Sequence, residues 1–122
     1  MPRYLFRGSY TSDTWSRLIK APEDRAESVR PILASVGARL ETLYFAFGDD
    51  DVFAIVEAPD NVTAAAISVA ITASGAFKSF ATSVLLTSDE AVEVMKKASA
   101  VNYQPPAAAD WLLQRAANTT AF

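Results

Sequence analysis

Three consecutive carboxylates, Asp49, Asp50 and Asp51, form the densest group of side chains that could take part in chemistry. Carboxylate oxygens are the ligands that Mg²⁺ and Ca²⁺ prefer in proteins. The run lacks both the alternating ligand spacing of a calcium loop and the glutamate that closes such a loop. Adjacent side chains also tend to point in different directions. The sequence therefore favours a hairpin turn whose charges are solvated, and we predict no metal site.

Histidine and cysteine are both absent from the 122 residues. Their absence excludes thiol nucleophiles, serine–histidine and cysteine–histidine pairs, zinc sites built from Cys and His, and iron–sulfur or haem centres with those ligands. Any catalysis would depend on carboxylate, Tyr, Lys, Arg or backbone groups, and we predict no cofactor. Tyr4, Tyr10 and Tyr44 could transfer protons only with a pKa lowered from about 10, so packing is the favoured interpretation.

A polar pair within an apolar surface is a better candidate site. Residues 3–10 and 52–57 alternate with a period of two, as strands do, and charged side chains should avoid the face that packs on helices. Arg7 and Glu57 then share the other sheet face. We expect the first and third strands to be parallel neighbours, which would place Arg7 near Ile55 and Glu57. Such a pair could anchor a small ligand in an apolar cleft, or it could instead fix the register of a dimer. The predicted ligand-binding residues are Arg7, Tyr44, Phe53 and Glu57.

The elements that would position these residues follow from hydrophobic periodicity and from turn and cap residues. The helical region that follows the first strand is expected to break near Ala21, and Pro22 suits the first position of a new helix. We predict strands over residues 3–10, 38–47, 52–57 and 77–87, and helices over about 12–35, 60–74 and 88–99. This is the β-α-β-β-α-β order of an α+β, ferredoxin-like sandwich, with a four-stranded antiparallel sheet and both main helices on one face.

The second face of that sheet also needs a cover. Residues 52–56 are apolar at every position, which indicates that neither face of this strand is simply solvated. We predict a homodimer or larger homo-oligomer in which two sheets stack to form a barrel. The alternative is that the C-terminal segment covers the face within one subunit.

The C-terminal residues 100–122 are predicted to form an arm outside the domain of residues 1–99. A proline-containing linker precedes a short helical pattern, which is too weak to be stable without packing. Its apolar triplet could dock on its own subunit or on a protein partner, and it consists of Trp111, Leu112 and Leu113.

Charge and hydropathy exclude other partners. The formal net charge is −3, and the one adjacent basic pair is Lys96-Lys97, so we predict no nucleic-acid binding. No apolar run approaches the roughly 18 residues that span a membrane, so we predict no membrane partner. The N-terminal residues lack the pattern of a signal peptide, so a cytoplasmic location is the expectation.

Residues 46–60, which read AFGDDDVFAIVEAPD, resemble the signature of the GYD domain family. Gly48 and Asp51 match the family's turn, and residues 57–60 match its Glu-Ala-Pro-Asp. The resemblance covers about residues 3–97, and Asp50 stands where the family has its tyrosine. It implies a fold of the dimeric α/β-barrel superfamily, but the family has no settled biochemical role.

Three functions are compatible with these observations. We favour a homo-oligomeric small-molecule-binding module whose cleft lies on the sheet face. The first alternative is a cofactor-free enzyme of the monooxygenase or isomerase type, which the superfamily contains, acting through Arg7, Glu57 or a tyrosine. The second is an accessory subunit that attaches to a partner through its C-terminal arm. Whether the protein is an enzyme therefore stays open.

Overall fold

A computed structural model of the chain describes residues 1–106 and residue 115. Trp111, Leu112 and Leu113, with the short helix predicted around them, lie outside the described residues. In chain order the elements are β1 (Arg3–Tyr10), α1 (Ser12–Lys20), α2 (Arg25–Ala34), β2 (Arg39–Phe45), β3 (Val52–Glu57), α3 (Asn61–Ala73), β4 (Phe77–Leu85) and α4 (Ser88–Ala98).

The four strands form one antiparallel sheet in the order β2-β3-β1-β4. This arrangement confirms the predicted α+β, ferredoxin-like fold. The expectation that the first and third strands are parallel is wrong, because β1 and β3 pair in opposite directions. The reason is connectivity: the hairpin turn reverses β3 relative to β2, while β2 runs in the same direction as β1.

Each helix begins after a residue whose side chain accepts a backbone hydrogen bond from the first turn. The N-caps are Thr11, Asp24, Asp60 and Thr87. The predicted break is confirmed, since α1 ends at Lys20 and Ala21 caps it. Pro22 is not the first residue of α2, because the Asp24 carboxylate accepts the Glu27 amide and the helix begins after that cap.

The hydrophobic core lies between α2, α3 and one face of the sheet, which we call the inner face. Tyr4 and Phe6 of β1 are buried there beside Val56 of β3. Leu33 of α2 and Ile67 of α3 pack against these strand residues. Alternate residues of β1 and β3 therefore lie in the core, and the residues between them face the opposite side of the sheet, the outer face.

The chain divides into two compact units, of which the first is Met1–Leu86 and the second begins at Thr87. The sheet, α1, α2 and α3 belong to the first unit. In the second, α4 starts with a capping box in which Thr87 and Glu90 each accept the other's backbone amide. The predicted division at residues 99 and 100 stays a prediction. Among residues 1–106 and 115, no helix is long and apolar enough to cross a membrane.

Candidate functional site

Three of the four predicted site residues lie side by side on the outer face. Phe53 of β3 is directly opposite Tyr44 of β2 on one side and Arg7 of β1 on the other. Directly opposed residues of antiparallel strands point to the same face, so the three side chains form a row across the sheet. Tyr44 is 69% exposed, while Phe53 is half-buried. We call these three residues the aromatic–arginine row.

Arg7 has a carboxylate partner, but it is not Glu57. Its Nη1 atom lies 2.9 Å from Oδ2 of Asp50, in the turn between β2 and β3. The Arg7 side chain is 45% exposed and that of Asp50 is 20% exposed. A pair so open to solvent stabilises the fold by no more than about 1 kcal/mol, so its main effect is to orient the guanidinium.

Glu57 belongs to a separate ionic cluster. This cluster lies at the end of strands β1 and β3 that is opposite to Arg7 and Phe53. The Glu57 carboxylate oxygens lie 2.6 Å from Nη2 of Arg39 and 3.5 Å from Nη2 of Arg3, and Arg3 also binds Glu41. Glu57 lies four residue steps along β3 from Phe53, a distance of about 13 Å. The predicted proximity of Arg7 and Glu57 is therefore wrong, because antiparallel pairing places Arg3 opposite Glu57.

The outer face between these two charged ends has an apolar centre flanked by two hydroxyl side chains, Thr42 opposite Ile55 and Ser83 opposite Leu5. Leu5 of β1 and Ile55 of β3 are directly opposed there, and both are half-buried. Ala81 and Leu85 of β4, opposite Arg7 and Arg3, extend the same surface and are also half-buried. The outer face thus has an apolar centre with an Arg–carboxylate group at each end.

A second group of functional side chains lies on the helix side of the sheet, where Tyr10 is the centre of an aromatic cluster. Its ring centroid lies 4.5 Å from that of Phe77, 5.2 Å from Trp15 and 6.3 Å from Phe45. The sequence analysis considered Tyr10 alone and missed the cluster. The available signal was the clustering of aromatic residues at the ends of three strands and in α1.

Asp51 holds this cluster together through one carboxylate oxygen. Oδ2 accepts the Tyr10 amide at 3.0 Å and the indole N–H of Trp15 at 3.2 Å. The Asp51 amide in turn donates to the carbonyl of Gly8. The prediction that the charges of this turn are solvated therefore holds for the exposed Asp49 but not for its two neighbours. Asp50 binds Arg7, and Asp51 accepts a hydrogen bond from Trp15. Among residues 1–106 and 115, no three acidic, His or Cys side chains converge as metal ligands.

The Tyr10 hydroxyl is bound by Arg25, the first residue of α2. Burial raises the pKa of Tyr10 above its ordinary value, although the hydrogen bond from Arg25 opposes that shift. Burial alone would lower the pKa of Arg25, but its hydrogen bonds to Glu23 and Tyr10 raise it. Tyr10 is thus a protonated hydroxyl at neutral pH and a poor general base.

We expect Tyr10 to make the fold sensitive to alkali. The folded chain keeps the Tyr10 proton at a pH where the unfolded chain loses it, so the free energy of unfolding is unaffected below about pH 10 and falls as the pH rises further. Urea unfolding of the wild type and of Tyr10→Phe between about pH 9 and about pH 11 measures this slope. The variant should show the shallower decrease; equal slopes would contradict the assignment to Tyr10.

A cavity of about 210 Å³ opens next to this cluster, between α1, the connection to α2 and the end of β2. Its lining is mostly apolar and aromatic, with one ion pair between Arg25 and Glu23 at 2.6 Å. The lining residues are Trp15, Leu18, Pro22, Glu23, Arg25, Phe45, Ala46 and Phe47. The sequence analysis missed the cavity, because three separate segments form its walls.

Comparison with known proteins supplies one match. The family model of the GYD domain matches residues 4–95, which covers the sheet except for Arg3, and most of α4. No curated protein and no solved structure matches the chain significantly.

Proposed function

The chain belongs to the GYD domain family, and from that premise we propose that it is a homo-oligomeric small-molecule-binding module with its ligand cleft on the outer face. The observation that carries the proposal is the aromatic–arginine row. It places two aromatic rings and one guanidinium in line, next to the apolar pair of Leu5 and Ile55. Binding sites for small molecules commonly combine such an apolar wall with a few polar groups.

A second copy of the chain is the cover that suits this face. Apolar residues at the centre favour removal from water, and both ends carry equal numbers of positive and negative groups. Arg7 and Asp50 balance at one end, while two arginines and two glutamates balance at the other. Two copies can therefore stack with like ends together or with opposite ends together, and neither arrangement brings together ends of like net charge.

The position of Asp50 suggests what the cleft recognises. At the place where the family has tyrosine, this chain has a carboxylate that orients Arg7 beside Phe53. A guanidinium has five N–H donors, more than a single carboxylate partner uses. We therefore expect a ligand with a flat apolar part against Phe53 and Tyr44 and an oxygen acceptor that binds Arg7.

Native mass spectrometry tests assembly and ligand binding together. We expect the wild type to be a dimer or larger oligomer, and Phe53→Asp to dissociate it, because a charged carboxylate would replace an aromatic ring at the interface and the neighbouring Arg7 is already bound to Asp50. The matched control is Val69→Asp on α3, where the side chain is 67% exposed. Arg7→Met should lose any co-purified small molecule and keep the wild-type assembly mass.

Two results would contradict the proposal. One is a monomeric wild type at micromolar concentration. The other is an oligomer that Phe53→Asp leaves intact, since the interface would then lie elsewhere. Circular dichroism shows whether each variant is folded, so that a lost oligomer can be separated from a lost fold.

A further inference from the structure

We infer that the cavity between α1 and the end of β2 is a second binding site, for an uncharged molecule of one or two aromatic rings with a single hydrogen-bonding group. The site goes beyond the outer-face cleft, because its walls come from one chain and need no second copy. Phe45, which lines it, is opposite the buried Val52, so the cavity lies on the helix side of the sheet. The aromatic–arginine row lies on the other side.

The volume of the cavity limits the size of the ligand. An apolar cavity of about 150 Å³ binds benzene, and pockets for drug-sized molecules begin at about 300 Å³. At about 210 Å³ the cavity lies between these sizes. A substituted benzene or a pair of fused rings has a volume in this range.

The walls favour an aromatic ligand. Trp15 and Phe45, which both line the cavity, have ring centroids 6.1 Å apart and planes inclined by 53°. Aromatic rings pack well in such offset and tilted arrangements. The indole N–H of Trp15 is bound to Asp51, which holds the ring in one orientation before a ligand arrives. Phe47 is fully exposed and can close over a bound ring.

The polar end of the cavity favours a neutral ligand. Arg25 and Glu23 are paired at 2.6 Å, so their charges compensate each other and a ligand carboxylate would have to compete with Glu23. Arg25 has five N–H donors. Its two described acceptors are the Glu23 carboxylate and the Tyr10 hydroxyl, and they use only some of these donors. Glu23 can in turn accept from a ligand hydroxyl. A phenol-like group matches both partners without adding charge.

Isothermal titration calorimetry with 2-naphthol tests the site, with 2-naphthoate as the charged analogue of the same shape. We expect a dissociation constant of about 0.1–1 mM for 2-naphthol, as is typical of so small a ligand, and weaker binding of 2-naphthoate. Phe47→Ala should weaken 2-naphthol binding about fivefold through the loss of one aromatic contact. The matched control is Ile19→Ala, since Ile19 is also exposed but does not line the cavity.

Four results would overturn the inference. They are no binding of 2-naphthol up to its solubility limit, tighter binding of 2-naphthoate, equal binding by Phe47→Ala and the wild type, or a changed oligomer mass in Phe47→Ala. The last would make Phe47 a contact between copies. Failure here is separable from failure of the proposed function, because folded Phe53→Asp should bind 2-naphthol as the wild type does.

Discussion

Replacing Gly8 with alanine is expected to lower the free energy of unfolding by about 3 kcal/mol, the upper part of the usual range for overpacking a core. A Cβ atom at Gly8 would lie 2.6 Å from the carbonyl oxygen of Ser79 and 2.8 Å from a ring carbon of Phe80. A third close atom, 2.9 Å away, belongs to the ring of Phe77. The Ser79 oxygen is backbone of the neighbouring strand and can move only if β1 and β4 separate. Urea unfolding followed by circular dichroism measures the change.

Gly48 provides the matched control for this substitution. A Cβ atom there meets nothing within 4 Å, so Gly48→Ala should leave the free energy of unfolding within about 0.5 kcal/mol of the wild type. Equal stability of the two alanine variants would show that β1 and β4 do not approach each other as closely as described.

Removing the Asp51 carboxylate is the second substitution with a large expected effect. Asp51→Ala leaves the Tyr10 amide and the Trp15 indole N–H without their acceptor, and both are partly buried. Each unsatisfied buried donor costs about 1–3 kcal/mol, and because both donors are only partly buried we expect the lower part of the summed range, a total loss of about 2–4 kcal/mol. Asp51→Asn keeps one acceptor oxygen and should recover part of that loss. The same urea unfolding experiment compares both variants with the wild type.

The neighbouring Asp49 controls for the loss of a negative charge from the turn. Asp49 is exposed. The Ser9 hydroxyl donates its hydrogen bond to the backbone carbonyl of Asp49 and not to the carboxylate. Asp49→Ala should therefore change stability by less than about 0.5 kcal/mol. If Asp49→Ala costs as much as Asp51→Ala, the net charge of the turn, and not the two hydrogen bonds, would be responsible.

The sequence predicted the elements of the fold well because their signals are local. The alternation of residues 3–10 and 52–57 gave the bounds of β1 and β3 without error. Pairing direction is not local: the pattern within a strand is the same whether its neighbour is parallel or antiparallel. The connections determine the direction: with β2 running in the same direction as β1 and a hairpin joining β2 to β3, β1 and β3 must be antiparallel, as the predicted antiparallel sheet already required.

The candidate site shows the same limit. Period two placed Arg7 and Phe53 on one face, and the structure brings them together with Tyr44, whose face the pattern had not assigned. Which carboxylate binds Arg7 depends on the register between strands and on the path of the turn, so Asp50 replaced Glu57 as the partner. The helix-side cavity was not predictable in this way, because segments distant in sequence form its lining and meet only after α1 has packed on the sheet.

The central place of β1 has a consequence for folding during synthesis. Its first residue, Arg3, pairs with Glu57 and with Leu85, so β1 leaves the ribosome well before either of its neighbours. Contacts so distant in sequence form slowly, and an incomplete chain exposes the apolar residues of β1 meanwhile. The β2–β3 hairpin, joined by a short turn, can form earlier. The nascent chain is therefore most prone to aggregation in the interval before β4 emerges.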